Sequence, residues 1–160
     1  MKSKPQKQHK WLHKLVGEWT YEAHCDMGPG KPAAKFTGKE SVWSIGGLWV
    51  VADGRGQMPG GGTATSIMSL GYDPQKKRFV GTWIGSMMPN LWVYDGALNR
   101  AGKVLTLNTL GPNFAAKGKL AKYRDAIEFK TKDHRVLTSS TPGKHGKWMT
   151  IMTARYRRKK

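Results

Sequence analysis

The stretch Leu70–Leu110, LGYDPQKKRFVGTWIGSMMPNLWVYDGALNRAGKVLTLNTL, decides the fold. It reads as four extended segments joined by three tight connections. Asp73-Pro74 opens the first, Met88-Pro89-Asn90 makes the second and Asn99-Arg100-Ala101-Gly102 makes the third. Proline pre-sets φ for an early turn position, and glycine and asparagine tolerate positive φ. Between the turns lie short runs rich in Val, Ile, Thr, Trp and Tyr, the composition of half-buried antiparallel strands. Successive hairpins of this kind form a meander, which closes into a sandwich or a barrel. Trp83, Met87, Met88, Trp92 and Tyr94 concentrate here, adaptable apolar side chains suited to line a pocket. Trp92 and Tyr94 share one strand face and Leu91 and Val93 the other. We read Trp92 and Tyr94 as inward, with Leu91 and Val93 on the outside beneath a leading helix.

Working outward, Gln8 to Leu15 reads as a short helix with Trp11, Leu12 and Leu15 on its apolar side. His9 and His13 are four apart, a spacing that can hold a metal on a helix. Isolated among lysines with no acidic third ligand, they read instead as solvated surface residues, and no metal site is assigned. The first strand follows, with Trp19, Tyr21, Ala23 and Cys25 on the inward face and Glu18, Thr20, Glu22 and His24 on the wet one. Gly28–Pro32 reads as a loop. Met58-Pro59-Gly60-Gly61-Gly62 reads as a mobile loop that lacks the lysine and helix of a phosphate-cradling motif. In all, ten strands are expected, near 16–25, 35–44, 48–55, 64–72, 78–86, 91–98, 103–110, 122–132, 135–141 and 147–157. Ten sequential strands with short links predict an all-β protein: a closed up-and-down antiparallel barrel with a short N-terminal helix, of lipocalin size or slightly larger. The expected organisation is a basic arm and helix over 1–15, one barrel domain over 16–157 and a basic tail over 158–160.

The composition narrows the function classes. The chain has 160 residues, seven tryptophans, twenty glycines and a single cysteine, Cys25, which excludes an intrachain disulfide framework. No run approaches the roughly 20 apolar residues of a membrane helix, and the N-terminus shows no apolar segment of a signal peptide. A cytoplasmic setting is the expectation. Twenty-eight Lys and Arg against ten Asp and Glu give a net charge of +18. Residues 1–14 and 155–160 carry five cations each and no acid; the remaining lysines fall mostly in expected turns, among them Lys144 and Lys147. A dedicated nucleic-acid groove clusters its charge on one face among exposed aromatics. Charge spread over loop tips gives solubility and loose attraction to polyanions such as nucleic acid or acidic proteins, the pattern of a supercharged surface.

Tyr123-Arg124-Asp125 with Asp133-His134 is the one polar constellation with catalytic ingredients, since a histidine oriented by a carboxylate can act as a general base. Arg124 and Asp125 point to opposite faces, however, and His134 sits at a turn. Turn and ion-pair roles are therefore the expectation, with no catalytic residue and no reaction assigned. Cys25 reads as a small buried hydrophobe.

Gly17-Glu18-Trp19, directly after the short helix, is similar to the Gly-X-Trp signature of the calycins, the lipocalin and fatty-acid-binding superfamily. That resemblance implies that Trp19 plugs a barrel end and that a late-strand arginine packs across it. Arg155, on the face of Met149, Ile151 and Thr153, is the expected partner, with Arg157 second. Over nearly the whole chain the sequence resembles a bacterial family of calycin-like barrels, domain of unknown function 1579. The resemblance runs through Leu15–Trp19, Leu70–Pro74, Val80–Trp83, Met87–Pro89, Trp92–Tyr94, Lys122–Asp125 and Asp133–Val136. It implies a closed barrel of unassigned activity. The expected function is binding of a small apolar or aromatic molecule against Trp83, Met87, Met88, Trp92, Tyr94 and Tyr123. Association of a cationic barrel with polyanions is the alternative.

Overall fold

A computed structural model describes residues 3–58 and 60–160; Met1 and Lys2 of the basic arm and Pro59 of the glycine loop lie outside the described residues. One helix, α1 (Lys7–His13), precedes ten strands: β1 (Gly17–Cys25), β2 (Ala34–Ile45), β3 (Trp49–Gln57), β4 (Thr63–Asp73), β5 (Arg78–Gly85), β6 (Met88–Leu98), β7 (Val104–Pro112), β8 (Leu120–Thr131), β9 (His134–Pro142) and β10 (Trp148–Arg158). Each strand pairs with its sequence neighbour, and β10 closes the ring against β1, antiparallel throughout. Closure removes the exposed edges that an open sheet would offer to other chains. No described helix is long and apolar enough to cross a membrane.

The inward positions follow strand alternation. Trp19 and Ala23 on β1, Val42 on β2, Val50 on β3, Leu70 on β4, Phe79 on β5, Leu105 and Leu107 on β7 and Ile127 on β8 are all buried. The helix covers one end of the barrel, which we call the helix end. Its Trp11 and Leu12, with Leu15 just after it, complete the core. Trp11 meets the rings of Phe79 and Phe129 edge-on at 6.4 and 5.5 Å, and its indole N–H donates to the Gly102 carbonyl at 2.7 Å. Seven residues of helix are marginal in isolation, so these contacts hold it in place.

His9 departs from the expectation. It is buried, not solvated: Nε2 donates to the Tyr72 carbonyl at 3.0 Å, and Nδ1 accepts the Gln6 backbone N–H at 2.9 Å. Residues 9 and 12 stand three apart and 11 and 15 four apart, so the buried stripe is wider than its apolar members.

Two further expectations are corrected. Met88-Pro89-Asn90 is not a turn. The turn is Ser86-Met87, and β6 starts at Met88, opposite Gly85. An irregularity in the β5–β6 ladder between Trp83 and Gly85 lets Pro89 sit in a strand despite its missing N–H. Leu91 and Val93 do point outward, but they are 60% and 59% exposed; the helix covers the barrel end rather than this wall.

Arg155 does not pack on Trp19. From Met149 inward, simple alternation carries Arg155 inward as well. The β9–β10 register, however, shifts between Thr150 and Met152, and the extra residue Ile151 inverts the parity of everything after it. Arg155 and Arg157 are exposed as a result, and Met152, Ala154, Tyr156 and Arg158 face in. The Trp19 indole lies between two other arginines, with the guanidinium of Arg158 at 4.3 Å and that of Arg135 at 4.6 Å. Arg158 also staples the barrel shut. Its Nε donates to Asp133 at 3.0 Å, Nη1 to the Val16 carbonyl at 2.7 Å, and Nη2 to the Lys14 and Lys132 carbonyls at 3.0 and 3.1 Å.

Candidate binding cavity

An inward row crosses the sheet from β3 to β9 as Gly56, Gly38, Tyr21, Tyr156 and Arg135, each opposite the next in register. The glycines are a spatial requirement. A Cβ at Gly38 would fall 2.4 Å from the Tyr21 ring, and one at Gly56 2.2 Å from its hydroxyl. The Tyr21 and Tyr156 rings lie 5.1 Å apart. One step along, Ser66, Gly54, Glu40 and Trp19 form the neighbouring row. Together these rows leave a cavity of about 60 Å³ in the barrel interior. Its polar wall is Tyr21, Glu40, Ser66, Arg135 and Tyr156, and its apolar wall includes Met68, Leu70, Trp83 and Leu137.

Arg135 is 3% exposed and is held from three sides. Its Nη2 donates to Glu40, and the guanidinium stacks on Tyr156 at 3.9 Å and on Trp19. Its Nε–H has no partner among the described residues. Buried donors are almost always satisfied, by protein, water or ligand, so this N–H marks where an acceptor belongs. Burial pushes the Tyr156 phenol well above its ordinary value, and the charge on Glu40 pushes it further. Burial and then Glu40 raise Tyr21 as well. Both hydroxyls therefore stay protonated and able to donate.

Beside this cavity lies a second polar cluster. Asp125 accepts hydrogen bonds from the hydroxyls of Tyr94 and Ser139, both at 2.6 Å. Burial raises the Asp125 carboxyl above its ordinary value, and those two donors oppose the shift. Burial, then the Asp125 charge, holds Tyr94 well above its own. Arg124 points the other way, stacked on Trp148 at 3.9 Å. His134 faces outward near Arg157 and Arg155, away from Asp125; burial and then those cations lower its value. The two halves of the catalytic constellation are thus not brought together.

Of the six expected lining residues, only Trp83 borders the cavity. Tyr94 belongs to the Asp125 cluster. Trp92, Met88 and Tyr123 pack with one another toward the end remote from the helix. There Trp92 Nε1 donates to the Met88 sulfur at 3.2 Å, and Tyr123 meets the indole edge-on at 5.1 Å. Met87 is on the hairpin tip, 41% exposed. The β6–β7 ladder spans only Asp95–Leu98 against Leu105–Asn108, so these strands part toward that same end. The Trp92 ring fills the gap, lying so close on Gly111 that a Cβ there would sit 2.0 Å from it. Glu40 and Arg135 escaped the sequence reading. Their signal was a charged residue on an inward parity, Glu40 between Gly38 and Val42, and Arg135 two before Leu137.

The matching family model settles kinship. It is described as "Protein of unknown function (DUF1579)" and matches residues 4–158. The chain belongs to this family. Among solved structures, the crystal structure of Rv2717c from M. tuberculosis is similar, with a TM-score of 0.66 and 11% identity; the match covers 98% of this chain and all of that one. A de novo designed fluorescence-activating β-barrel aligns at TM-score 0.50 and 11% identity, over 92% of this chain and 95% of the design. EF1p2_mFAP2b bound to DFHBI aligns at 0.51 and 9% identity, over 94% and 98%. At these identities the likeness is one of fold. No curated protein matches the sequence.

Proposed function

We propose that the barrel is a binding protein for a compact small molecule, held in the interior cavity with an acceptor group toward Arg135. The observation that carries this reading is the uncommitted Nε–H of Arg135, a residue that lines the interior cavity. A cavity of about 60 Å³ holds roughly four waters, at about 15 Å³ each. A long acyl chain does not fit, since pockets for drug-sized ligands run to about 300 Å³ and more. The ligand is therefore small, with one polar end for Arg135 and the two tyrosines and an apolar body for Met68 and Trp83. The designed neighbour bound to DFHBI gives only a precedent of shape. The test is calorimetric titration with a panel of the smallest carboxylates (formate, acetate and propionate), repeated on Ala52→Leu. That variant adds three carbons to a wall residue and keeps the polar groups. Saturable binding lost in Ala52→Leu supports the reading; no saturable binding, or binding indifferent to the filled wall, refutes it.

A second reading is favoured by a different observation. The two basic tails, far apart in sequence, meet at the helix end: Arg158 Nη2 donates to the Lys14 carbonyl, and the Lys159 N–H to the Glu18 carbonyl at 2.8 Å. Loop lysines such as Lys117 and Lys144 lie at the opposite pole of the barrel, while the cations of the two tails, which read as separate segments of the chain, share this one. We propose that this pole associates with polyanions, which a screen of binding against salt concentration tests.

A further inference from the structure

We infer that the helix end carries a cleft for a single-stranded nucleic acid, built from α1, the β4–β5 turn and the β6–β7 turn. This rests on the polyanion reading and gives it a place and a ligand. Lys7 and Lys10 from the helix, Lys14 just after it, Lys77 from the first turn and Arg100 from the second line one groove of about 610 Å³ that contains no acidic side chain. Among the described residues, none of the five has a carboxylate within 4.0 Å. The groove is fixed in shape, because Trp11 ties the helix to Gly102 of the second turn. Like charges crowded without counter-charges raise the local potential and attract a phosphate chain.

A phosphate chain alone would not require the neighbouring feature. Tyr72 lines this groove and also an adjoining one, where Trp49 lies beside Lys4. Trp49 rests flat on the backbone of Gly71, where a Cβ would come within 2.4 Å of the indole, and it remains 42% exposed. A large aromatic held flat by a glycine, with one face open, is a platform for a nucleobase, since every base has a face to stack. Asp73, the acid in that adjoining groove, has Oδ1 turned to the N–H groups of Gln75 and Lys76. Cations for phosphates with an open aromatic beside them suit an unpaired strand better than a duplex, whose bases are stacked inside, or an acidic peptide.

The experiment is fluorescence anisotropy of a labelled oligo(dT) of about 12 nucleotides, within the span of one such barrel-sized site, with the full chain across salt concentrations. Five contacts at about −0.7 each give a slope of about −3.5 in log K against log salt, or about a hundredfold loss from about 50 to 200 mM. Lys10→Glu/Arg100→Glu is expected to weaken binding at least about tenfold and flatten the slope to about −2. Lys117→Glu/Lys119→Glu, on the loop at the other end, changes the net charge equally and is expected to stay within about twofold. Trp49→Ala is expected to lose about fivefold or more for oligo(dT) and nothing for inorganic polyphosphate. Equal losses in the two charge-reversal pairs overturn the cleft while leaving the polyanion reading intact. No binding of either oligo(dT) or polyphosphate at about 50 mM salt overturns both. Polyphosphate binding in the cleft with Trp49→Ala inert toward oligo(dT) overturns the nucleic-acid assignment. Circular dichroism confirms the fold of each variant, and Arg100→Gln alone, on an exposed turn, substitutes for the double change if that one unfolds.

Discussion

Replacing Arg135 by methionine tests how the interior is held together. Glu40 has 14% of its side chain exposed and Arg135 has 4%, so the pair is nearly dry. Methionine keeps a flexible apolar stem against Trp19 and Tyr156 but leaves the Glu40 carboxylate without its cation. Breaking a buried pair from one side costs about 3–5 kcal/mol, mostly the penalty of the stranded charge. In a domain of this size, that lowers Tm by roughly 10 °C. Removing the charge from the other side as well, in Glu40→Gln/Arg135→Met, is expected to recover about half or more of the loss, because no ion then remains buried. The assay is urea denaturation followed by far-UV circular dichroism on wild type, both single variants and the double. A coupling energy of about 2 kcal/mol or more is expected for residues in direct contact. Additive single effects, or an Arg135→Met cost below about 1 kcal/mol, would refute the claim that this ion pair is desolvated and structurally committed.

Arg158→Lys is expected to cost about 1–3 kcal/mol, since an ammonium cannot reproduce a fork that serves Asp133 and three carbonyls. Hydrogen exchange should speed up at residues 14–18 and 132–133 first. Gly111→Val should evict the Trp92 ring, shifting tryptophan emission toward that of solvent and costing about 1–3 kcal/mol; unchanged emission would contradict the packing. For Asp125 the folded-state value is raised above the ordinary 3.8 by burial, so the folded protein holds this proton more tightly than the unfolded chain does. The stability it contributes is full below the ordinary value and is lost as pH rises through the elevated one. Wild type should therefore lose stability relative to Asp125→Asn as pH climbs from about 3 toward about 7, and a wild type that holds or gains stability relative to Asp125→Asn over that window would refute the assignment.

The strand count, the closed ring, the inward set on β1 and the inward pair Trp92 and Tyr94 were legible because alternation is local and the turns are chemically marked. What escaped were events that alternation cannot carry. Ile151 is one residue too many for its partner strand, and nothing in MTIMTARYRR announces it, so Arg155 reads as inward when Arg158 is. Met88-Pro89 has the chemistry of a turn, but an irregularity in the neighbouring ladder allows it to extend. The cavity escaped for a different reason. Its polar wall takes Tyr21, Tyr156 and Arg135 from one row that crosses the sheet, and pairing registers that join distant segments are not written in any one of them. The convergence of the tails was implied by an even number of antiparallel strands closing into a ring, which sets the start of β1 beside the end of β10, although the sequence reading did not draw it.

That return sets an order on the making of the protein. β1 finds one partner, β2, soon after it emerges, but its other flank waits for β10, the last of the ten strands to leave the ribosome. Until then the growing chain is an open sheet whose first and last-made edges are both bare, with Trp19 lacking Arg135 and Arg158 above its ring. A newborn barrel of this kind is most vulnerable to pairing with its neighbours while that final strand is still being made, and a chain cut short before Trp148, and so without β10, would remain in that state.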